Sequence, residues 1–205
     1  MSKLTETLTA LSMTVGRGAA ARTVADLAEL RPVDLVVDVG CGPGTAVREA
    51  GRRGTLAIGV DPSPEMVRLA GRITRWTHSD GARFIEASAE SLPLPTGRAT
   101  VLWALSSVHH WEDLTRGLAE ALRVLAPQGR LLLVERSVAL DAKGHGRHGL
   151  TEEEADRLVQ AVEAVGFTQV VRQAQRAGRR DLVIVTATAP ATMRSIGRGS
   201  TQGGA

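Results

Sequence analysis

VVDVGCGPGT, residues 36–45, is the stretch that decides the fold. An apolar run, Leu35 to Val39, ends on glycines at Gly40, Gly42 and Gly44, and a helical pattern begins directly after them. The next apolar run, Leu56 to Val60, ends on Asp61. A turn without side chains between a buried strand and a helix lets a ligand approach the backbone, beside the open amides of the helix start. Such a turn lies at the carboxyl edge of a parallel sheet, where open α/β folds bind ligands. A glycine cluster alone is equally an ordinary tight turn, and the lesser alternative for Asp61 is a helix cap or turn residue before Pro62. Together, strand, glycine turn, helix, strand and acid form a nucleoside site, with the Asp61 carboxylate able to accept two hydrogen bonds from a ribose diol.

Working outward, apolar runs alternate with stretches of helical periodicity, which predicts an α/β fold with a largely parallel sheet. A helix from Ser63 to Ile73 starts with a capping serine and Pro64 at its first position. Short strands are expected at Arg83–Ala87 and Thr100–Leu105, a helix at Leu114–Leu125, and a strand at Arg130–Glu135 after a turn at Pro127–Gly129. Thr151 and Glu154 have the spacing of a capping box, opening a helix that Gly166 stops near Val165. Thr168–Arg172 and Leu182–Thr188 follow with no long helix between them, so they are expected to pair antiparallel at one edge. Before the first strand, Arg17–Leu30 reads as a helix with Ala21, Val24, Ala25, Leu27 and Ala28 on its apolar side, either covering the sheet or forming a lid. The expected organisation is an N-terminal helical cap segment over 1–31, one domain over 32–189, and a Gly- and Ser-rich tail over 190–205 without fixed structure.

The 205 residues are 43% hydrophobic, enough for a sizeable core. With two Phe, three Trp and no Tyr, that core is aliphatic and stacking platforms for bases are scarce. The formal charge is +3, but the arginines are scattered, which argues against nucleic acid as a partner. One cysteine, Cys41, excludes an internal disulfide and suits a reducing compartment, and no run reaches the ~18 apolar residues of a membrane span. The expected location is the cytoplasm, with a homodimer as the assembly left open.

Glycine spacing narrows the ligand. A dinucleotide fingerprint places two residues between its second and third glycines, whereas only Pro43 separates Gly42 from Gly44. Asp38, Gly40, Gly42 and Gly44 instead match, position for position, the acid followed by G-x-G-x-G of the class I S-adenosylmethionine-dependent methyltransferases. DPSPEMVRLA from Asp61 resembles that family's ribose-binding turn, ASAESLPLP from Ala87 its loop beside adenine, and ALRVLAPQGRLLLVE from Ala121 its fourth helix and fifth strand. The resemblance covers about residues 30 to 188 and is nearest to the small stand-alone enzymes grouped as type 11. It implies a Rossmann-like, doubly wound seven-stranded sheet, mostly parallel with an antiparallel C-terminal edge hairpin. S-Adenosylmethionine is the implied cofactor. Gly40, Gly42, Gly44, Cys41 and Leu105 would line its methionine side, Asp38 would organise the loop near its amino group, and Asp61 would hold the ribose. Pro62 and Met66 would pack near adenine, with Ser88 and Ala89 at the adenine edge. Ser88 stands where many members carry an aspartate, and Ala99 and Thr100 replace an aromatic-acid pair.

On the acceptor side, SSVHHWED carries the titratable pair His109 and His110. Either imidazole is suited to take a proton from an acceptor near neutral pH; the alternative is a structural helix start. Trp103 and Trp111 are candidates for an apolar pocket wall or for core packing. His145 and His148 lack an acidic partner at ligand spacing and read as a solvated loop, so no metal ligand is assigned. The expected activity is methyl transfer to an oxygen, nitrogen or carbon of a small-molecule acceptor. The competing reading is a noncatalytic S-adenosylmethionine-binding regulatory or partner subunit.

Overall fold

A computed structural model describes residues 17–79, 81–140 and 148–192. Its centre is a seven-stranded sheet of order β3-β2-β1-β4-β5-β7-β6. The strands are β1 (Leu35–Val39), β2 (Leu56–Asp61), β3 (Ala82–Glu86), β4 (Ala99–Leu105), β5 (Leu125–Arg136), β6 (Thr168–Ala177) and β7 (Arg180–Thr188). β1 to β5 run parallel, and β7 pairs antiparallel with both β5 and β6. β1 lies between β2 and β4, so the connections leaving it and returning to it diverge at its carboxyl end. That divergence opens a crevice at the end of β1, the place where such sheets hold ligands.

The helices are α1 (Arg17–Leu27), α2 (Thr45–Arg52), α3 (Pro64–Trp76), α4 (Leu114–Val124) and α5 (Glu152–Val165). α1 lies on the sheet, burying Ala20, Ala21, Val24 and Ala25 with Val47 and Ala50 of α2 and Val36, Trp103 and Ile184 of the strands. The opposite face packs Leu118 and Ala121 of α4 and Leu158 and Val162 of α5 against Val37, Leu102, Leu131 and Val185. β1 is buried on both faces, which is why its sequence is a continuous apolar run and not an alternating one. Local chemistry sets the helix starts: Ser63 accepts from the Met66 amide and precedes Pro64, and Thr151 and Glu154 form the expected capping box. Gly166, at φ 113°, ends α5 as expected.

Several boundaries differ from the sequence reading. The Pro127–Gly129 turn is a bulge inside β5, not a loop before it: β5 already pairs with β4 at Leu125, and the register shifts between there and Arg130. Proline and glycine there signalled a break, while the Gln128 amide and the Gly129 carbonyl keep their bonds to Ala189 and hold the strand together. β6 runs five residues beyond Arg172, α3 three beyond Ile73, and the first helix stops at Leu27. Trp103 is fully buried core. Residues 1–16 of the expected cap segment, His145, and the expected tail from 193 onward lie outside the described residues. No helix of the described residues is long and apolar enough to cross a membrane.

Candidate functional site

The glycine turn is fastened on three sides. The amides of Gly40 and Cys41 both donate to the Val60 carbonyl, at 2.8 and 3.0 Å, tying the turn to the end of β2. Arg48, buried in α2, donates to the Pro43 carbonyl at 2.6 Å. The Ser107 hydroxyl, from the loop after β4, donates to the Val39 carbonyl at 2.7 Å. Gly40 adopts φ 73°, and a β-carbon there would lie 2.4 Å from that of Ser107. Only glycine fits so close an approach of two loops.

Asp61, 8% exposed at the end of β2, accepts from the Gly42 amide at 2.7 Å through one oxygen and from the Ser63 amide at 2.9 Å through the other. It faces a cleft of about 420 Å³ whose wall also includes Gly40, Gly42, Pro62, Met66, Ser88, Ala89, His110 and Trp111. A carboxylate offers about four acceptor positions, so two remain for a pair of hydroxyls. A smaller pocket joins this cleft at Gly40 and Ser106, and Asp38, Cys41 and Leu105 line it together with Ala20 and Ala21 of α1. Gly44 belongs to neither wall; it caps α2 with the Phe84 ring beside it. Of the eleven residues expected around a nucleoside cofactor, seven line the larger cleft, where His110 joins them, and three more line the smaller pocket, which shares Gly40 with the cleft. A broader groove between α3 and β3, lined by Arg68, Arg72, Arg75 and Arg83, lies outside this region.

Burial pushes the Cys41 thiol up, with the Asp38 and Asp61 carboxylates adding to the effect, so it stays protonated. That environment works against a nucleophilic role for it. Its side chain packs against Gly59 instead.

Two acids in the site escaped the sequence reading. Glu90, beside Ser88 on the cleft wall, accepts from the Glu112 amide at 2.9 Å and the Asp113 amide at 3.3 Å. Burial raises its carboxyl, but hydrogen bonds from backbone and from the Ser88 hydroxyl outweigh that and hold it below the usual range. A negative charge therefore stands next to the position where Ser88 replaces the usual aspartate. Glu135, 1% exposed at the end of β5, accepts from the Val108 amide at 2.8 Å and meets His109 Nδ1 at 2.9 Å. His109 consequently sits behind the cleft wall while His110 lines it. An acid closing a buried strand at the carboxyl edge of the sheet was the available signal for Glu135, since a buried charge requires a partner.

A glycine turn, a buried carboxylate with two free acceptor positions and a cleft lined by Pro62, Met66 and Ala89 meet at the switch point of a Rossmann-like sheet, an arrangement suited to a nucleoside cofactor. Residues 37–133 match the family described as a methyltransferase domain, type 11. That segment resembles the class I S-adenosylmethionine-dependent methyltransferases of type 11, for which S-adenosylmethionine is the cofactor. The chain is similar to the uncharacterized methyltransferase YcgJ of Bacillus subtilis, 33% identical over 108 residues, or 53% of this chain and 43% of that protein. It is 37% identical over 112 residues to the 27-O-demethylrifamycin SV methyltransferase of Amycolatopsis mediterranei, or 54% of this chain and 41% of that protein. The chain thus spans less than half the length of these two curated relatives. In fold it resembles the crystal structure of an S-adenosylmethionine-dependent methyltransferase from Aquifex aeolicus, at 19% identity and a TM-score of 0.70 over 82% of this chain and 89% of that one.

Proposed function

We propose that the protein transfers the methyl group of S-adenosylmethionine to an oxygen, nitrogen or carbon of a small-molecule acceptor. One observation carries the reading: a single cleft at the carboxyl ends of the parallel strands is lined by Gly40, Gly42, Asp61 and Met66 together with His110 and Trp111. The rifamycin relative, whose name specifies an O-methylation of a small molecule, supports the acceptor class. When bound, the cofactor supplies a methyl carbon already activated by positive sulfur, so positioning contributes most of the acceleration. Asp61 holds the ribose hydroxyls, Met66 and Pro62 pack the adenine face, and Ser88, Ala89 and Glu90 meet its edge. Asp38, Cys41 and Leu105 border the methionine end, and Gly44 sets the start of α2 beneath it. His110 takes the proton of an acceptor that enters protonated, and His109, braced by Glu135, keeps the 108–110 turn in place.

The test is transfer of a labelled methyl group to a panel of phenols, carboxylic acids, amines and enols. Transfer to at least one acceptor is expected. His110→Ala should lower kcat by about 10²-fold or more for a protonated acceptor, in line with the usual contribution of a general base, while S-adenosylhomocysteine affinity stays within about twofold. Tight S-adenosylhomocysteine binding with no transfer to any acceptor, alone or with cell extract, would instead make the chain a noncatalytic cofactor-binding subunit.

A further inference from the structure

Among the described residues, His109, His110 and His148 bring one ligand-capable nitrogen each within 4.8 Å of one another. Ring centroids are 3.9 Å apart for His109 and His110, and 5.9 Å from each of these to His148. The sequence separation between the pair and His148 hides this grouping from any local motif. Each ring is delivered by a fixed piece of backbone. His109 and His110 sit on a single 3₁₀ turn, Val108–His110, whose first amide is held by Glu135. His148 precedes Gly149 and Leu150, which are pinned to the end of β5: the Leu150 amide donates to the Arg136 carbonyl at 2.8 Å, and the Val138 amide to the Leu150 carbonyl at 3.0 Å. Gly149 adopts φ 148°, and a β-carbon there would lie 2.2 Å from the Arg136 carbonyl oxygen, so the chain can run this close to β5 only through glycine.

His109 also has the wiring of a metal ligand. Its Nδ1 is engaged by the buried Glu135 carboxylate, and its Nε2 is buried without a hydrogen-bond partner. A carboxylate on one ring nitrogen is the arrangement that fixes the tautomer of a metal-bound histidine and leaves the other nitrogen's lone pair for the ion. We propose that His109, His110 and His148 bind a divalent transition-metal ion of the zinc class at the acceptor end of the cleft. Zinc–imidazole bonds of about 2.0–2.1 Å place ligand nitrogens roughly 3.3–3.4 Å apart in a tetrahedron. The candidate nitrogens lie within 4.8 Å of one another, and the rings of His110 and His148 are exposed, so reaching that spacing requires only their side chains to turn. Three protein ligands leave a fourth position for water or an acceptor atom, the pattern of an open site and not of a structural one. Because His110 also lines the cleft, that position is beside the acceptor. The site goes beyond the methyl-transfer reading and does not depend on it; with the ion bound, His110 is a ligand, so its role as proton acceptor belongs to the metal-free chain.

The experiment is calorimetric titration of the chelator-treated, untagged full chain with zinc sulfate and with cobalt chloride, together with the visible absorption spectrum of the cobalt form. One equivalent bound at micromolar affinity or tighter is expected, with the absorption of a low-coordinate cobalt site. His148→Ala, on the surface, should weaken binding at least tenfold and abolish that absorption; Glu135→Gln should weaken it by about 10- to 100-fold, as loss of an outer-shell partner does. No saturable binding, or binding unchanged in His148→Ala, overturns the proposal. S-Adenosylhomocysteine titrated into the same samples reports on the cofactor site separately, so failure of either reading is distinguishable.

Discussion

At the scale of single residues the site depends on close approach. Gly40 is where the loop after β1 meets the loop after β4, and Ser107 fills the space a side chain would need. Gly40→Ala places a β-carbon into that serine at a positive φ that costs an L-residue about 1–2 kcal/mol. The separation of the two loops must widen, and both line the cleft. S-Adenosylhomocysteine affinity is expected to fall at least roughly tenfold, or about 1.4 kcal/mol, with the far-ultraviolet circular dichroism of the folded protein retained; calorimetry giving a wild-type affinity would contradict this account. Gly40, Gly42 and Asp61 were readable because their chemistry is local, a turn and a strand end. Glu90 and Glu135 were not, because their meaning lies in partners on other elements: the Glu112 and Asp113 amides for one, and the Val108 amide and His109 ring for the other. His148 read as solvated loop for the same reason, since the rings it approaches, His109 and His110, belong to another element.

At the scale of elements, the entry of β1 is locked to β4 and β5 by one buried acid. Asp34, 2% exposed, accepts from Arg130 Nη2 at 2.7 Å and from the Arg31 amide at 2.7 Å, and its other oxygen accepts from the Thr100 hydroxyl at 2.8 Å. Burial raises its carboxyl, but the bonds from Arg130, Arg31 and Thr100 prevail and hold it below the ordinary carboxylate range. A depressed carboxyl stabilises the folded chain above the unfolded-state pKa, about 3.9, and that contribution is lost as pH falls through the lower folded value. Asp34→Asn is therefore expected to cost about 1–3 kcal/mol at pH 7, where it leaves a buried donor poorly paired. The difference from wild type should shrink below about pH 4. Denaturant unfolding at the two pH values checks both, and a difference that grows with acid would refute the sign. Element order and type were legible because buried parallel strands read as apolar runs and the helix caps are chemical signals. The bulge in β5 was not, because Pro127 and Gly129 mark a local break while pairing to β4 and Ala189 is a tertiary fact.

At the scale of the whole molecule, fold and cofactor site are one object, since the cleft exists only where β1, β2 and β4 end together on the same edge of the sheet. Ligand that binds only this assembled edge must stabilise the entire chain by mass action. At a concentration one hundred times its Kd, S-adenosylhomocysteine is expected to add about 2.7 kcal/mol. For a protein of this size each kcal/mol moves the melting temperature by about 2–4 °C, so a rise of roughly 5–10 °C follows. Asp61→Asn removes the charge proposed to accept from the ribose diol; if it weakens binding tenfold, the same concentration adds only about 1.4 kcal/mol, and the rise halves. NAD should produce no comparable rise, because the dinucleotide spacing of glycines is absent: Pro43 alone separates Gly42 from Gly44. Differential scanning fluorimetry of wild type and Asp61→Asn with both ligands reads all four cases. An NAD rise equal to that of S-adenosylhomocysteine, or an unaltered response in Asp61→Asn, would remove the ribose role from Asp61 and with it the residue that ties the sheet's architecture to its ligand.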